Sequence, residues 1–407
     1  MGGLTAAYAD GLNNNVGQSI NTSNPATYSS LYVTTFDLAF TIDSRNLSSK
    51  TPLSKFSTNN FIPSYITIGV PLAKTKGLGL AFGLKPITNI SYSIQTRDRT
   101  AGDSLATIYE GSGGMNQAFV GIGKKWKGLS IGLNTGFNFG RKEVSTKKVF
   151  LNDTVNYYHA KSNSNTSFSG IFLEGGLQYE FSVYKKEVAE TKTTSNYLLR
   201  LGVTGSLKQN INATQDITKN TFVINGTTGD IKVDSVFEQS DVKGTIALPS
   251  TYAAGITLHK TVTSPRGLFE MWSVGAEYTA TQWTKYRFYN TPDQLSDSWQ
   301  FKIGTQFCPG PGTGNSYWST VNYRLGYHMG RDYLNPDGNG LKKYGFSFGA
   351  GLPVRRWRTY DNQFTFLNTA FEFGKRGSSV NNITETYFQF SLGMSLSDLW
   401  FIKRKYD

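Results

Sequence analysis

The sequence predicts an all-β fold: a transmembrane antiparallel β-barrel of about fourteen strands with an N-terminal hatch plugging its lumen. Three observations lead there. Apolar residues alternate with small or polar ones in one run after another. The gaps between the runs alternate long and short. The composition is 14% aromatic with 43 glycines, yet the mean hydropathy is only −0.35.

The clearest run is Leu129-Ser130-Ile131-Gly132-Leu133-Asn134-Thr135-Gly136-Phe137-Asn138-Phe139-Gly140. Successive strand residues point to opposite faces, so this pattern builds one apolar and one hydrophilic wall. A membrane-spanning strand needs that, over about nine to eleven tilted residues. The even positions are apolar from Ile66 to Leu72 and from Leu78 to Leu84. The odd positions are apolar from Ile171 to Phe181, from Leu199 to Leu207 and from Val321 to Tyr327. Phe388, Phe390, Leu392, Met394 and Leu396 form the last run. Weaker runs lie near residues 30–42, 114–126, 250–260, 269–285, 297–308, 343–353 and 363–374.

The gaps give an independent test. A polar stretch at 43–62 precedes a turn at 73–76, and 97–113 precedes Trp126-Lys127-Gly128. Then 142–166 precedes 184–195, and 209–248 precedes 261–267. Outer-membrane barrels pair long extracellular loops with short periplasmic turns. A first strand rising from the periplasm puts every long gap outside and both termini in the periplasm. In 209–248, Asn225-Gly226 and Gly229-Asp230 separate two β-prone runs, which predicts a hairpin.

No run approaches the roughly 18 apolar residues of a membrane helix. One cysteine, Cys308, excludes an internal disulfide framework. No signal-type opening precedes Met1-Gly2-Gly3, so the sequence is expected to begin at or inside the mature protein. The net charge of +13 sits mainly in the short turns and the C-terminal tail, where sixteen basic residues face five acidic ones. Lys74, Lys76, Lys124, Lys125 and Lys127 are among them. A basic collar beside an apolar band suits outer-membrane lipid headgroups rather than nucleic acid. Trp126, Trp272, Trp318, Trp357 and Trp400 fall on the same rim, with Trp283 and Trp299 toward the other, as interfacial girdles require.

Residues 1–28 read as a separate hatch and 29–407 as the barrel. A short amphipathic stretch (Leu4, Ala7, Tyr8, Leu12, Val16) predicts a compact, partly helical piece too small to own a core. The lumen of so wide a barrel, which its own side chains cannot fill, is the available packing site. The segment carries Ala7-Tyr8-Ala9-Asp10, then Asn13-Asn14-Asn15, and Asn24-Pro25-Ala26 just before the first strand. With these motifs the chain resembles the FadL family of outer-membrane long-chain fatty-acid and hydrocarbon channels. Leu248-Pro249-Ser250 leading to Gly255-Ile256-Thr257-Leu258, and Glu277-Tyr278 with Trp283, extend the likeness. Asn-, Ser- and Lys-rich composition adds a likeness to Bacteroidota proteins. The resemblance implies a plugged lumen and a kink in strand three that opens sideways to the bilayer. Lys85-Pro86 is the kink candidate, because proline lacks the N–H of a ladder bond. The resemblance also implies that Asn24 bonds the hatch to the barrel wall while Pro25 fixes its turn.

The expected inward faces carry Glu174, Glu180, Arg200, Glu277, Lys302, Arg324 and His328. These form either a salt-bridged network that clamps the hatch or a polar path. Two stretches match G-x-S-x-G, at Gly128-Leu129-Ser130-Ile131-Gly132 and Gly345-Phe346-Ser347-Phe348-Gly349. A nucleophile elbow needs a strand-to-helix turn, and both matches lie in alternating strands. Gly111-Ser112-Gly113-Gly114 lacks the lysine of a phosphate loop and reads as an ordinary loop. His159, His259 and His328, read as lying in a loop, near a rim and in a wall, have no triad or metal spacing. No enzyme, cofactor or metal is expected. Two functions stay open: passive uptake of a hydrophobic small molecule such as a long-chain fatty acid, or a non-transporting barrel subunit of an outer-membrane assembly or secretion complex.

Overall fold

The computed structural model describes residues 1–9, 18–51, 53–100, 103–151, 157–188, 192–225, 229–265, 267–310, 316–336, 338, 340–354, 364–378 and 380–398. Its strands are β1 (Thr34–Lys50), β2 (Leu53–Ala73), β3 (Leu78–Thr100), β4 (Asp103–Trp126), β5 (Leu129–Phe150) and β6 (His159–Val188). Then follow β7 (Thr193–Ser206), β8 (Gln209–Asn225), β9 (Gly229–Leu248), β10 (Thr251–Ser264), β11 (Gly267–Thr281), β12 (Arg287–Phe288) and β13 (Thr291–Pro292). The last are β14 (Ser298–Phe307), β15 (Asn322–Arg331), β16 (Lys342–Pro353), β17 (Phe364–Arg376) and β18 (Ile383–Asp398).

Fourteen of them close a ring. β1 to β7 pair in sequence, β7 pairs β10, β10 pairs β11, β11 pairs β14, β14 to β18 continue, and β18 returns to β1. All these pairings are antiparallel, and closure removes the sheet edges that lipid cannot solvate. β8 prolongs β7 along β6, and β9 runs down into β10, so the four make two long strands broken near residue 207 and at Pro249. The hairpin predicted in 209–248 is therefore an upward extension of the barrel wall. The tiny β12–β13 hairpin leans on β9.

The outer face carries exposed apolar residues at the alternating positions read from the sequence. Ile131, Leu133, Phe137 and Phe139 line it on β5, and Ile171, Leu173, Leu177 and Tyr179 on β6. The opposite parity (Ser130, Asn134, Asn138) is buried inside. Trp126 and Trp318 are exposed at the end where β1 begins and β18 finishes, here called the near end.

Four expectations need correction. The gaps at 43–62, 97–113 and 142–166 are mostly strand: only residues 51–52 and 101–102 separate β1 from β2 and β3 from β4. Likewise 184–195 shrinks to the residues between Val188 and Thr193. Above the lipid band a strand has water on both faces, so its period-2 signal vanishes and it reads as loop. Gly111-Ser112-Gly113-Gly114 is not a loop but the middle of β4, paired with Tyr92 to Asn89 of β3 and Val144 to Arg141 of β5. A Cβ on Gly113 would stand 2.0 Å from the Arg141 carbonyl oxygen, so glycine there permits close strands rather than a turn. His159 begins β6 instead of sitting in a loop.

Among the described residues, the helical expectation for the N-terminus is met by the six-residue 3-10 helix Pro25–Ser30, while residues 1–9 hold turns and bends. Asp10, Leu12, Asn13, Asn14, Asn15, Val16, Gly226, Trp357 and Trp400 lie outside the described residues.

The wall is lopsided. β2 to β6 run 21 to 30 residues, against 10 for β14 and β15. About ten residues cross the membrane, so one side of the far end projects well beyond it.

Candidate functional site

The N-terminal segment lies inside the ring, seated on a belt of glycines. A Cβ on Gly79 would come 1.9 Å from the Tyr28 carbonyl oxygen, and one on Gly132 2.2 Å from the Pro25 carbonyl carbon. On Gly202 it would meet the Ala6 oxygen at 2.0 Å, and on Gly304 the Met1 oxygen at 2.3 Å. Backbone packs on backbone along the lumen wall from β3 to β15, which only residues without side chains allow. Between these contacts Ile20, Tyr28 and Leu31 form a small core with Ala81, Phe119 and Phe172 of the wall. Burial pushes the Tyr28 phenol above its ordinary pKa, which keeps it neutral.

The Asn24-Pro25-Ala26 motif organises the segment itself. Asn24 is fully buried. Its side-chain oxygen accepts the Ala26 N–H at 3.0 Å, capping the 3-10 helix, and its amide donates to the Ala6 carbonyl at 2.6 Å. The resemblance implied a bond from Asn24 to the wall; both of these bonds stay within the segment. Besides the charged residues described below, wall bonds come from residues that the sequence reading did not single out as a site. Gln178 donates to the same Ala6 carbonyl at 2.8 Å, Thr204 to Ser23 at 2.8 Å and Asn134 to Thr22 at 3.2 Å. Asp37, fully buried, accepts the Ile20 N–H at 3.1 Å and the Ser395 hydroxyl at 3.0 Å. Asn24→Ala removes a cap and leaves the Ala6 carbonyl with one donor fewer. We expect a loss of about 1–3 kcal/mol in seating, read as faster proteolysis of residues 1–28 in the folded barrel.

The charged residues do not form one network. Glu277 accepts the Thr5 N–H at 2.5 Å and the Ala6 N–H at 2.7 Å, and its other oxygen pairs Lys302 at 2.9 Å. Lys302 also donates to the Gly3 carbonyl at 2.9 Å. A second group, nearer the near end, joins Arg200 to Glu180, with Lys125 at 3.3 Å from Glu180. Arg200 also reaches the Ala9 carbonyl at 3.3 Å, and the buried His259 stands 3.6 Å from Glu180. Arg324 bonds the neutral Gln306 and Asn368. His328 meets Tyr387, which donates to Glu372. Glu174 contacts Asn134 at 3.4 Å. Beyond the N-terminal segment a polar cavity of about 330 Å³ continues among Arg45, Lys343, Glu372, Arg376 and Glu385. Among the G-x-S-x-G serines, Ser130 faces inward and bonds Ser29 of the segment at 3.0 Å, while Ser347 lies mid-strand in β16.

The wall is unzipped between β2 and β3. β2 and β3 pair only from Ile66↔Leu84 to Ala73↔Leu78. Above that, residues 53–65 pair with β1 alone and residues 85–100 with β4 alone, among the described residues. Lys85 and Pro86 stand at the fork, and the register with β4 shifts between Pro86 and Thr88. Pro63 of β2, which the sequence reading passed over inside a supposed loop, faces them. Each proline withdraws a ladder donor. A cavity of about 470 Å³ opens there, lined by Phe61, Pro63, Ile66, Leu84, Pro86 and Gly114. Lys85 reaches inward to 5.7 Å over the Phe119 ring. Pro63→Val with Pro86→Val restores two donors. We expect amide exchange over residues 85–89 to slow about fivefold or more, at roughly 1 kcal/mol per regained bond, measured by hydrogen exchange in detergent.

A closed fourteen-stranded ring with an apolar outer band, an interior N-terminal segment and an Asn-Pro-Ala turn defines an outer-membrane β-barrel of the FadL fold. Solved structures share that fold. The "CymD monoaromatic hydrocarbon channel" aligns over 98% of this chain and 99% of its own at 12% identity and a TM-score of 0.52. A Pseudomonas aeruginosa FadL homologue aligns over 96% of each chain at 10% identity and 0.53. A TodX deltaS2S3 mutant, a "monoaromatic hydrocarbon channel", aligns over 98% and 97% at 13% identity and 0.53. No curated protein sequence matches. The BamG family profile matches residues 1–407, and the chain belongs to the BamG family.

Proposed function

We propose that this protein is a barrel subunit of an outer-membrane protein assembly complex, its lumen closed by the N-terminal segment acting as a hatch and both termini periplasmic. The observation that carries this reading is the way the segment is held. Glu277, Lys302, Arg200 and Gln178 bond its backbone directly, and the glycine belt brings that backbone against the wall. Beyond it, Arg45, Lys343, Glu372, Arg376 and Glu385 make the cavity charged. An apolar solute would gain nothing there and would strip water from ions.

A second reading rests on the seam between β2 and β3. Its cavity is edged by Phe61, Ile66 and Leu84 on the lipid side, which suits lateral passage of a hydrophobic molecule such as a long-chain fatty acid. Native mass spectrometry of the gently purified protein separates the two. Stoichiometric partner proteins and no bound fatty acid or hydrocarbon are expected for the subunit. A monomer carrying such a molecule would overturn that reading in favour of the channel.

A further inference from the structure

Two short turns at the near end stand side by side and are bonded together. The Lys74–Lys76 turn is closed by Gly77 at φ 58, and the Lys125 N–H donates to the Gly77 carbonyl at 2.7 Å. Lys127, at φ 54, makes the neighbouring turn. With residues 29–32, where the N-terminal segment leaves the lumen, these turns frame a cleft of about 570 Å³. Lys74, Lys76, Lys124, Lys125 and Lys127 line it, and no carboxylate does. Lys125 is neutralised by Glu180 at 3.3 Å, and Lys74 lies 4.7 Å over the Tyr32 ring. That leaves Lys74, Lys76, Lys124 and Lys127 without an acidic partner among the described residues. Four like charges in one cleft repel one another unless an anion joins them.

The surroundings say which anion. The cleft opens beside the apolar band, where Trp126 is 72% exposed and Leu72 51% exposed on the lipid-facing side. An exposed tryptophan at a strand end belongs at the level of lipid headgroups. A diacyl lipid fits both parts, its phosphate among the lysines and its chains on the apolar shoulder. We infer that this cleft is a binding site for the phosphate of an anionic phospholipid, held by Lys74, Lys76, Lys124 and Lys127 while its chains lie against Trp126 and Leu72. Because Ser29 to Tyr32 form one wall, the bound lipid braces the root of the N-terminal segment as well as the barrel.

The test titrates short-chain phosphatidylglycerol and phosphatidylcholine onto the detergent-solubilised full chain, followed by native mass spectrometry. Phosphatidylglycerol is expected to bind at least about tenfold more tightly. The variant K74Q/K76Q/K127Q is expected to weaken it about 100-fold, at roughly fivefold per lysine near a charged surface. K185Q/K186Q, at the foot of β6 outside the cleft, is expected to leave it unchanged; both variants are verified as folded by heat-dependent gel mobility. Equal binding of the two lipids, or wild-type affinity in the triple variant, would overturn the site. Inorganic phosphate binding as tightly as phosphatidylglycerol would also overturn it, since the lipid chains would then add nothing and the cleft would be a free-anion site.

Discussion

Glu277→Ala is expected to release the N-terminal segment while leaving the barrel standing. The Glu277 side chain is 1% exposed and has three tasks at once: it accepts the Thr5 and Ala6 N–H groups and neutralises Lys302. Removing it orphans two buried or half-buried donors and leaves a half-buried ammonium with the Gly3 carbonyl as its partner among the described residues. Breaking a buried pair from one side costs about 3–5 kcal/mol. The wall keeps its ladders, so the loss falls on the segment. Planar-bilayer conductance should rise from a closed baseline to steady open current, and protease should cut residues 1–28. Lys302→Met alone leaves an unpaired carboxylate that still accepts the two N–H bonds, so it should do less. The double variant E277A/K302M should be less leaky than E277A, because no uncompensated charge remains. A fully closed E277A channel would show that the glycine belt holds the segment without this pair.

Gly132→Val should give the second large effect, by a different route. Its Cβ would stand 2.2 Å from the Pro25 carbonyl carbon and 2.3 Å from the Ala26 nitrogen. Both are backbone atoms of a short 3-10 helix packed on β4 and β5, and neither can rotate away. Overpacking of a core by small groups costs about 1–3 kcal/mol, and a clash with backbone lies at the upper end or beyond. The 3-10 helix must lift off, which also breaks the Ser29–Ser130 bond and exposes Tyr28. Conductance and proteolysis report this too, and loss of Tyr28 burial should raise its accessibility to tetranitromethane. Gly175→Val supplies the control, since nothing lies within 4 Å of its Cβ. It should behave as wild type.

These two variants divide along the line between what the sequence displays and what it hides. Glu277 was legible as an inward carboxylate, because strand parity assigns every residue of an alternating run to one wall. Its partners were not legible, since Lys302 meets it through the β11–β14 register and Thr5 through the seating of the N-terminal segment, neither of which spacing shows. The glycines were visible as small inward residues in nearly every strand, and their recurrence was the signal for the belt. The alternation alone did not reveal the belt, because one strand gives no hint that another backbone lies against it. The resemblance implied a bond from Asn24 to the wall, whereas its amide donates to the Ala6 carbonyl: the motif shows that the turn carries an amide, not which carbonyl receives it.

The sequence by itself determined the membrane-facing half of this protein. Lipid imposes one requirement, an apolar outer face at period two, and Ile131 to Phe139 or Ile171 to Tyr179 satisfy it residue by residue without reference to anything distant. It likewise fixed the approximate strand number, the positions of the tight lysine-rich turns and the placing of Pro86 within strand three. Only the tertiary structure decided how far the strands rise beyond the lipid, because in water on both faces their residues lose any pattern. It decided too that β2 and β3 part at Ile66 and Leu84, where Pro63 and Pro86 come to face one another across a pairing that no local signal encodes. The contents of the lumen belong to the same class. The bond that Glu277 accepts from Thr5 spans 272 positions and the one that Gln178 donates to Ala6 spans 172, so neither can be read from local spacing.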